Sequence, residues 1–160
     1  MRRVCLLVGA GLLVWAASAA QAQAQTVNFT AALSGGNEVP GVVNGAGGTA
    51  TISLNTVTNA VTYRIDVYNM PAGTTAAHFH AGAPGVAGPV VVNFTVQTSI
   101  SNDFSITGTA TAADLVPRAA QGINSWEDFI QALLLGQVYA NVHSTANPGG
   151  EIRGQVIRTQ

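Results

Sequence analysis

The sequence contains no lysine, and charged residues of any kind make up only 8% of its 160 positions. Its basic residues are six arginines, scattered along the chain rather than gathered in a stripe, so a surface that tracks a phosphate backbone is excluded and no nucleic-acid partner is expected. Cysteine is almost absent as well. Cys5 is the single thiol, so no intrachain disulfide can form, and stability must come from the core or from a bound metal. No glycine-rich loop opens a helix, which removes the usual phosphate cradle. No nucleophile stands beside a base either: Ser144 follows His143 directly, and neighbours in a strand point to opposite faces. The sequence thus offers no catalytic residues, and a non-enzymatic role is the expectation.

The one long apolar run lies at the N-terminus. Arg2-Arg3 precede an apolar stretch from Val4 to Ala17, and small residues follow, with Ala20-Gln21-Ala22 and Ala22-Gln23-Ala24 as two A-x-A cleavage options. The run is short for a membrane span and lacks a stop-transfer flank. Residues 1–24 are therefore expected to be a signal peptide, with a mature start near Gln23 or Gln25. The protein is then exported, periplasmic or extracellular, and free of the membrane after cleavage. Removal of the leader takes Arg2, Arg3 and Cys5 with it, leaving four arginines against seven carboxylates and no cysteine in the domain over 25–160.

Within that domain apolar and polar residues alternate with a period of two, the mark of half-buried strands. The clearest case runs from Ala60 to Tyr68, where Val61, Tyr63, Ile65 and Val67 share one face and Thr62, Arg64, Asp66 and Tyr68 the other. Further strands are expected over Val27–Leu33, Gly48–Leu54, Pro89–Thr95 and Asp103–Thr109, with a final hairpin of Gln137–His143 and Glu151–Ile157. Phe79, Phe104, Ile106 and Ile152 should join the Val61 face in one core, and Met70 reads as core. One helix interrupts the strands. Ser125 is placed to cap it, Asp128 stands three residues on, Trp126, Phe129, Ile130 and Leu133 form its apolar stripe, and Gly136 fits its end. The fold class is all-β: an antiparallel, Greek-key-like β-sandwich or barrel of about eight strands with one short helix.

The chain has three histidines, and all fall near the ends of expected strands. In Ala77-His78-Phe79-His80 the two imidazoles share a face and Phe79 turns to the other, while His143 closes the run Tyr139-Ala140-Asn141-Val142-His143. Three neutral imidazoles make a borderline donor set suited to copper first and zinc second, with a coordination position left open. Proton competition at an ordinary histidine would weaken such a site below a pH of about 6.5. Asn141, on the face of His143, is placed to orient an imidazole. Glu151 and Arg153 share a face of the last strand and could pair with each other or with partners at the domain end, and with Glu38 they form a candidate structural set.

Three separated segments carry a family resemblance: Leu33-Ser34-Gly35-Gly36-Asn37-Glu38-Val39-Pro40, then Ala77-His78-Phe79-His80 with Gly88-Pro89-Val90, then Tyr139-Ala140-Asn141-Val142-His143-Ser144 with Gly149-Gly150-Glu151-Ile152-Arg153-Gly154. Together they resemble the CHRD domain, named after chordin, over about Val27 to Ile157. The resemblance implies a secreted or periplasmic all-β domain. A weaker likeness is to the copper-zinc superoxide dismutases, through His78-Phe79-His80, Val142-His143 and the Gly149-Gly150 turn. By that likeness the three histidines correspond to three of the four copper ligands. The metal-bridging histidine, the zinc ligands and the disulfide have no counterparts, and Glu151 stands where the dismutases carry an arginine. The leading reading is a non-catalytic module that binds copper or zinc through His78, His80 and His143. A metal-free module that holds an extracytoplasmic protein or matrix partner is the second, and a dismutase-like oxidoreductase the third.

Overall fold

The computed structural model describes residues 25–71, 73–96 and 102–159, so the export segment expected over residues 1–24 lies outside the described residues. Nine strands form one sheet: β1 (Thr26–Ser34), β2 (Gly47–Asn55), β3 (Val61–Tyr68), β4 (Thr74–Ala81), β5 (Val90–Asn93), β6 (Phe104–Ala110), β7 (Val138–Ser144), β8 (Ile152–Gln155) and β9 (Ile157–Arg158). Every strand pairing is antiparallel. The order across the sheet is β5-β4-β7-β8-β1-β2-β3-β6, with β9 paired to β1, and the eight-strand path curls into a nearly closed barrel. Among the described residues the chain adopts the expected all-β class, with a single α-helix.

Alternation decides which side chains fill the barrel. On β3, Val61, Tyr63, Ile65 and Val67 are buried, whereas Thr62, Arg64 and Tyr68 are exposed. Phe79, Ile106, Ile152 and Met70 join them, and Phe104 is only partly buried at the rim. Phe94, just past β5, stacks on Tyr63 with centroids 4.2 Å apart and meets Phe79 edge-on at 4.6 Å. These contacts link the β5 end of the sheet to β3 across the interior. The strand expected over Pro89–Thr95 is shorter, at Val90–Asn93, although the Phe94 amide still donates to the Ala77 carbonyl of β4 while its ring packs inward.

Helix α1 (Trp126–Leu134) starts where the sequence places it. Ser125 accepts a hydrogen bond from the Asp128 backbone amide while the Asp128 carboxylate accepts from the Ser125 amide, a closed capping box. Its buried Trp126, Phe129, Ile130 and Leu133 face the barrel, with Phe129 6.0 Å from the Phe79 ring. Gly136 ends it with φ +68°, a left-handed conformation that suits glycine.

The strand expected over Glu151–Ile157 is broken. Residues 152–155 pair with β7, after which the Val156 amide donates to the Val138 carbonyl, Val156 is fully buried, and residues 157–158 pair with β1.

Strand β7 decides where a polar site can exist. All seven of its residues are buried, although Tyr139, Asn141 and His143 alternate away from the core residues Ala140 and Val142. Two segments cover that outer face. Residues 35–46 arch over it from β1, and residues 82–89 fold back from β4 so that Gly88 exchanges hydrogen bonds with the Tyr139 hydroxyl. Polar side chains are thereby enclosed outside the barrel, between sheet and loops.

Candidate metal centre

Pairing of β4 with β7 brings the three histidines together. His78 lies across from Asn141, His80 across from Tyr139, and His143 across from Ala76. The ring centroids are 4.8 Å (His78 to His143), 5.4 Å (His78 to His80) and 5.7 Å (His80 to His143) apart. One nitrogen from each ring can be chosen so that all three lie within 4.8 Å of one another. Ligands at about 2.0–2.1 Å from a common ion stand roughly 3.3 Å apart in a tetrahedral arrangement, so the most widely separated rings must close by about 1.5 Å to grip one. His78, half-buried where the other two are buried, has the most room to turn.

Backbone carbonyls set the tautomers. His80 Nδ1 is 2.9 Å from the Gly88 carbonyl and His143 Nδ1 is 2.9 Å from the Pro148 carbonyl. A carbonyl only accepts, so both Nδ1 atoms carry the proton and both Nε2 atoms present lone pairs. The His143 Nε2 lone pair is 3.0 Å from His78 Nδ1, which donates to it in the ion-free state. His80 Nε2 is buried and meets no partner at all. An ion would take up both lone pairs and replace the His78–His143 contact. The donor set fits a borderline divalent metal, and a buried, unpartnered lone pair on a ring beside two other imidazoles is a feature such an ion can satisfy.

The electrostatics keep the rings neutral. Burial holds the His78 pKa down to about 4, with His143 and His80 adding to the effect. Burial likewise lowers His80 to about 4, against the Gly88 hydrogen bond and with His143, Arg153 and Arg118 assisting. His143 is lowered by burial against the pull of the Pro148 carbonyl. Neutral imidazole is the ligating form, so no proton need be expelled at physiological pH.

The other expected site residues form a layer beside the histidines. Glu151 does not pair with Arg153: its carboxylate accepts from Ser144 Oγ at 2.6 Å, Asn147 Nδ2 at 2.7 Å and Asn44. Burial raises its pKa, but these bonds outweigh it and the net shift is downward. Arg153 is 5% exposed, donates to the backbone carbonyls of Asn37 and Val86, and lies over the Tyr139 ring at 4.6 Å. Arg64 forms an ion pair with Asp66 on the outer face of β3, whereas Arg153 is held by backbone acceptors. Glu38 is 7% exposed, and burial pushes its pKa up to about 7 against Arg153, with Glu151 adding to the rise and a hydrogen bond from Asn141 opposing it. The ring nitrogens are oriented by the two carbonyls and by each other, while Asn141 turns to Glu38.

Sequence reasoning missed Tyr139, whose ring stacks against His80 at 4.8 Å and carries Arg153, and the carbonyls of Gly88 and Pro148. Alternation from His143 through Asn141 marks Tyr139 on the same face. A main-chain acceptor has no letter in the sequence, so the carbonyls left no signal. Two clefts open beside the layer, of about 340 Å³ and 240 Å³, and Glu38 belongs to the walls of both. A larger hollow of about 520 Å³ lies elsewhere, on the exposed face of β2, β3 and β6, among Thr51, Thr62, Thr107, Thr109 and Arg64.

Comparison with known families returns one match: the model described as the CHRD domain covers residues 29–156. No curated protein matches the chain.

Proposed function

We propose that this chain, which belongs to the CHRD domain family, is an exported metal-holding module that binds one divalent ion, copper in preference to zinc, through His78, His80 and His143. The observation that carries the reading is a trio of imidazoles that can each offer a nitrogen within 4.8 Å of the others, one ring of which, His80, has a buried Nε2 with no partner. An unsatisfied buried acceptor such as His80 Nε2 costs about 1–3 kcal/mol, which a bound ion would offset. The preference follows from the donors: neutral imidazoles suit both metals, and copper stands above zinc in the affinity order of divalent ions. Arg2-Arg3, the apolar Val4 to Ala17 run and the A-x-A sites support export, which would place the site where copper is met outside the cytoplasm.

Elemental analysis of the protein purified from the periplasm tests this directly. One equivalent of copper or zinc per chain is expected, with none in the H78A/H80A/H143A variant. Added copper should also raise the melting temperature of the wild type and leave the triple variant unmoved, since an ion that binds only the folded state stabilises it by about 2.7 kcal/mol at a hundredfold excess over Kd. A wild-type protein that takes up neither metal, with a melting temperature indifferent to both, overturns the reading in favour of a metal-free interaction module.

A further inference from the structure

Arg153 is buried, and a buried charge is ordinarily matched by an opposite one. This one is not. Nε donates to the Asn37 carbonyl, Nη1 donates to the Val86 carbonyl, and the guanidinium lies over the Tyr139 ring, while no carboxylate among the described residues forms an ion pair with it. A guanidinium carries five N–H groups, so three of them, one on Nη1 and both on Nη2, have no acceptor among the described residues. Nη2 is not one of the buried atoms left without a partner, so solvent reaches it.

Arg153 is a wall of the cleft of about 340 Å³, together with residues 36–39 and 84–85. Its two backbone acceptors tie the guanidinium to both segments, since Asn37 belongs to one and Val86 directly follows the other. Val39, 43% exposed, and Val86, 51% exposed, leave apolar surface on each. Burial pushes the Glu38 pKa up to about 7 against the pull of Arg153, with Glu151 adding to the rise and Asn141 opposing it. At neutral pH this acid is therefore partly protonated, and the guanidinium is short of counter-charge.

We infer that this cleft binds the carboxylate of a small organic acid, with its oxygens on the free N–H groups of Arg153 and a short apolar chain against Val39 and Pro84. The planar fork of a guanidinium matches a carboxylate in two parallel hydrogen bonds. A monoanion is favoured over a phosphate dianion, because Glu38 and Glu151 place further negative charge beside the guanidinium. A volume of about 340 Å³ stands at the small end of ligand pockets, which suits an acid of a few carbons. No ion at the histidines is required.

Titration of the nitrogen-15-labelled chain by NMR provides the test, with a chelator present so that no ion at the histidines receives the anion. Butyrate should shift the Arg153 Nε–H and the Asn37 and Gly85 amides saturably, with a Kd on the order of 1 mM. Acetate should bind about fivefold more weakly for want of two methylenes, and inorganic phosphate more weakly than butyrate. Arg153→Lys keeps the charge but loses the fork, and should bind butyrate about tenfold more weakly. Wild type should bind it more tightly at pH 6 than at pH 8, because Glu38 then carries its proton, and Glu38→Gln should bind it equally at both. Where Arg153→Lys does not fold, Glu38→Gln decides. Shifts that do not saturate, or that phosphate produces as well as butyrate, overturn the site, and so does a folded Arg153→Lys protein with the affinity of wild type. An acetylated peptide with a free C-terminal carboxylate that binds more tightly than butyrate overturns the small acid in favour of a chain terminus.

Discussion

Glu38 and the histidines titrate in opposite senses across the same pH range. His78 and His80 have folded pKa values of about 4 against an ordinary value of 6.5, so between those limits the unfolded chain binds more protons and stability falls as the solution is acidified from 6.5 toward 4. Glu38 is raised from 4.5 to about 7, so its contribution is present below 4.5 and is lost as pH rises through 7. Apo protein should therefore be most stable near pH 6.5, with a loss on the order of 2 kcal/mol or more on the acid side. Glu38→Gln should abolish the decline above that pH while leaving the acid limb in place. Urea denaturation at a series of pH values checks this, and a variant whose stability still declines between pH 6.5 and 8 as in wild type would acquit the carboxyl. Copper occupancy should follow the buried histidines rather than an ordinary one: retention at pH 5 and release toward pH 4, read by dialysis against buffered solutions. Release centred on 6.5 would mean that the rings are not buried as described.

The elements that hold the site are loops, and their positions are fixed by close contact. A Cβ at Gly88 would overlap the Ala81 carbonyl, so Gly88→Ala must push the 82–89 segment away from β4 and with it the carbonyl that fixes the His80 proton. Overpacking of this kind typically costs ~1–3 kcal/mol. The variant should lose that much stability and also bind copper more weakly, by melting and by titration. Unchanged copper affinity in a destabilised protein would separate the loop from the site. A Cβ at Gly150, whose φ is +143°, would stand 2.6 Å from Glu38 Oε1, so the 145–150 turn and the 35–46 segment are locked together over Asn141. The helix tests a different kind of local rule. Ser125→Ala removes a capping box that was already visible as Ser125 and Asp128 in the sequence, and should cost about 1 kcal/mol without affecting metal uptake.

On the scale of the whole molecule, the aromatic contacts of Phe79 couple the barrel to the site. Its ring, fully buried, touches Tyr63, Phe94 and Phe129, while its neighbours in the chain, His78 and His80, project to the opposite face. Phe79→Ala should cost ~3–5 kcal/mol and, by loosening β4, weaken metal binding as well. Thermal melting with and without copper measures both, and a variant that melts as wild type would place the core elsewhere.

The sequence by itself determined the local rules of this protein: that β3 buries Val61, Tyr63, Ile65 and Val67, that His78 and His80 share a face opposite Phe79, that Ser125 starts the helix, and that the chain is an antiparallel all-β domain. Each follows from side-chain alternation or a cap within a few residues, which neighbouring letters express. Only the tertiary structure decided which strands adjoin. β4 follows β3 in the chain yet pairs with β5 and β7, and that choice brings His143 to His78. It also decided that the outer face of β7 is enclosed, that Glu38 comes to Asn141, and that Arg153 reaches Asn37 across 116 positions instead of pairing with Glu151. These depend on long-range pairing and on backbone carbonyls such as those of Gly88 and Pro148, whose positions are set by the path of the whole chain and by no residue type.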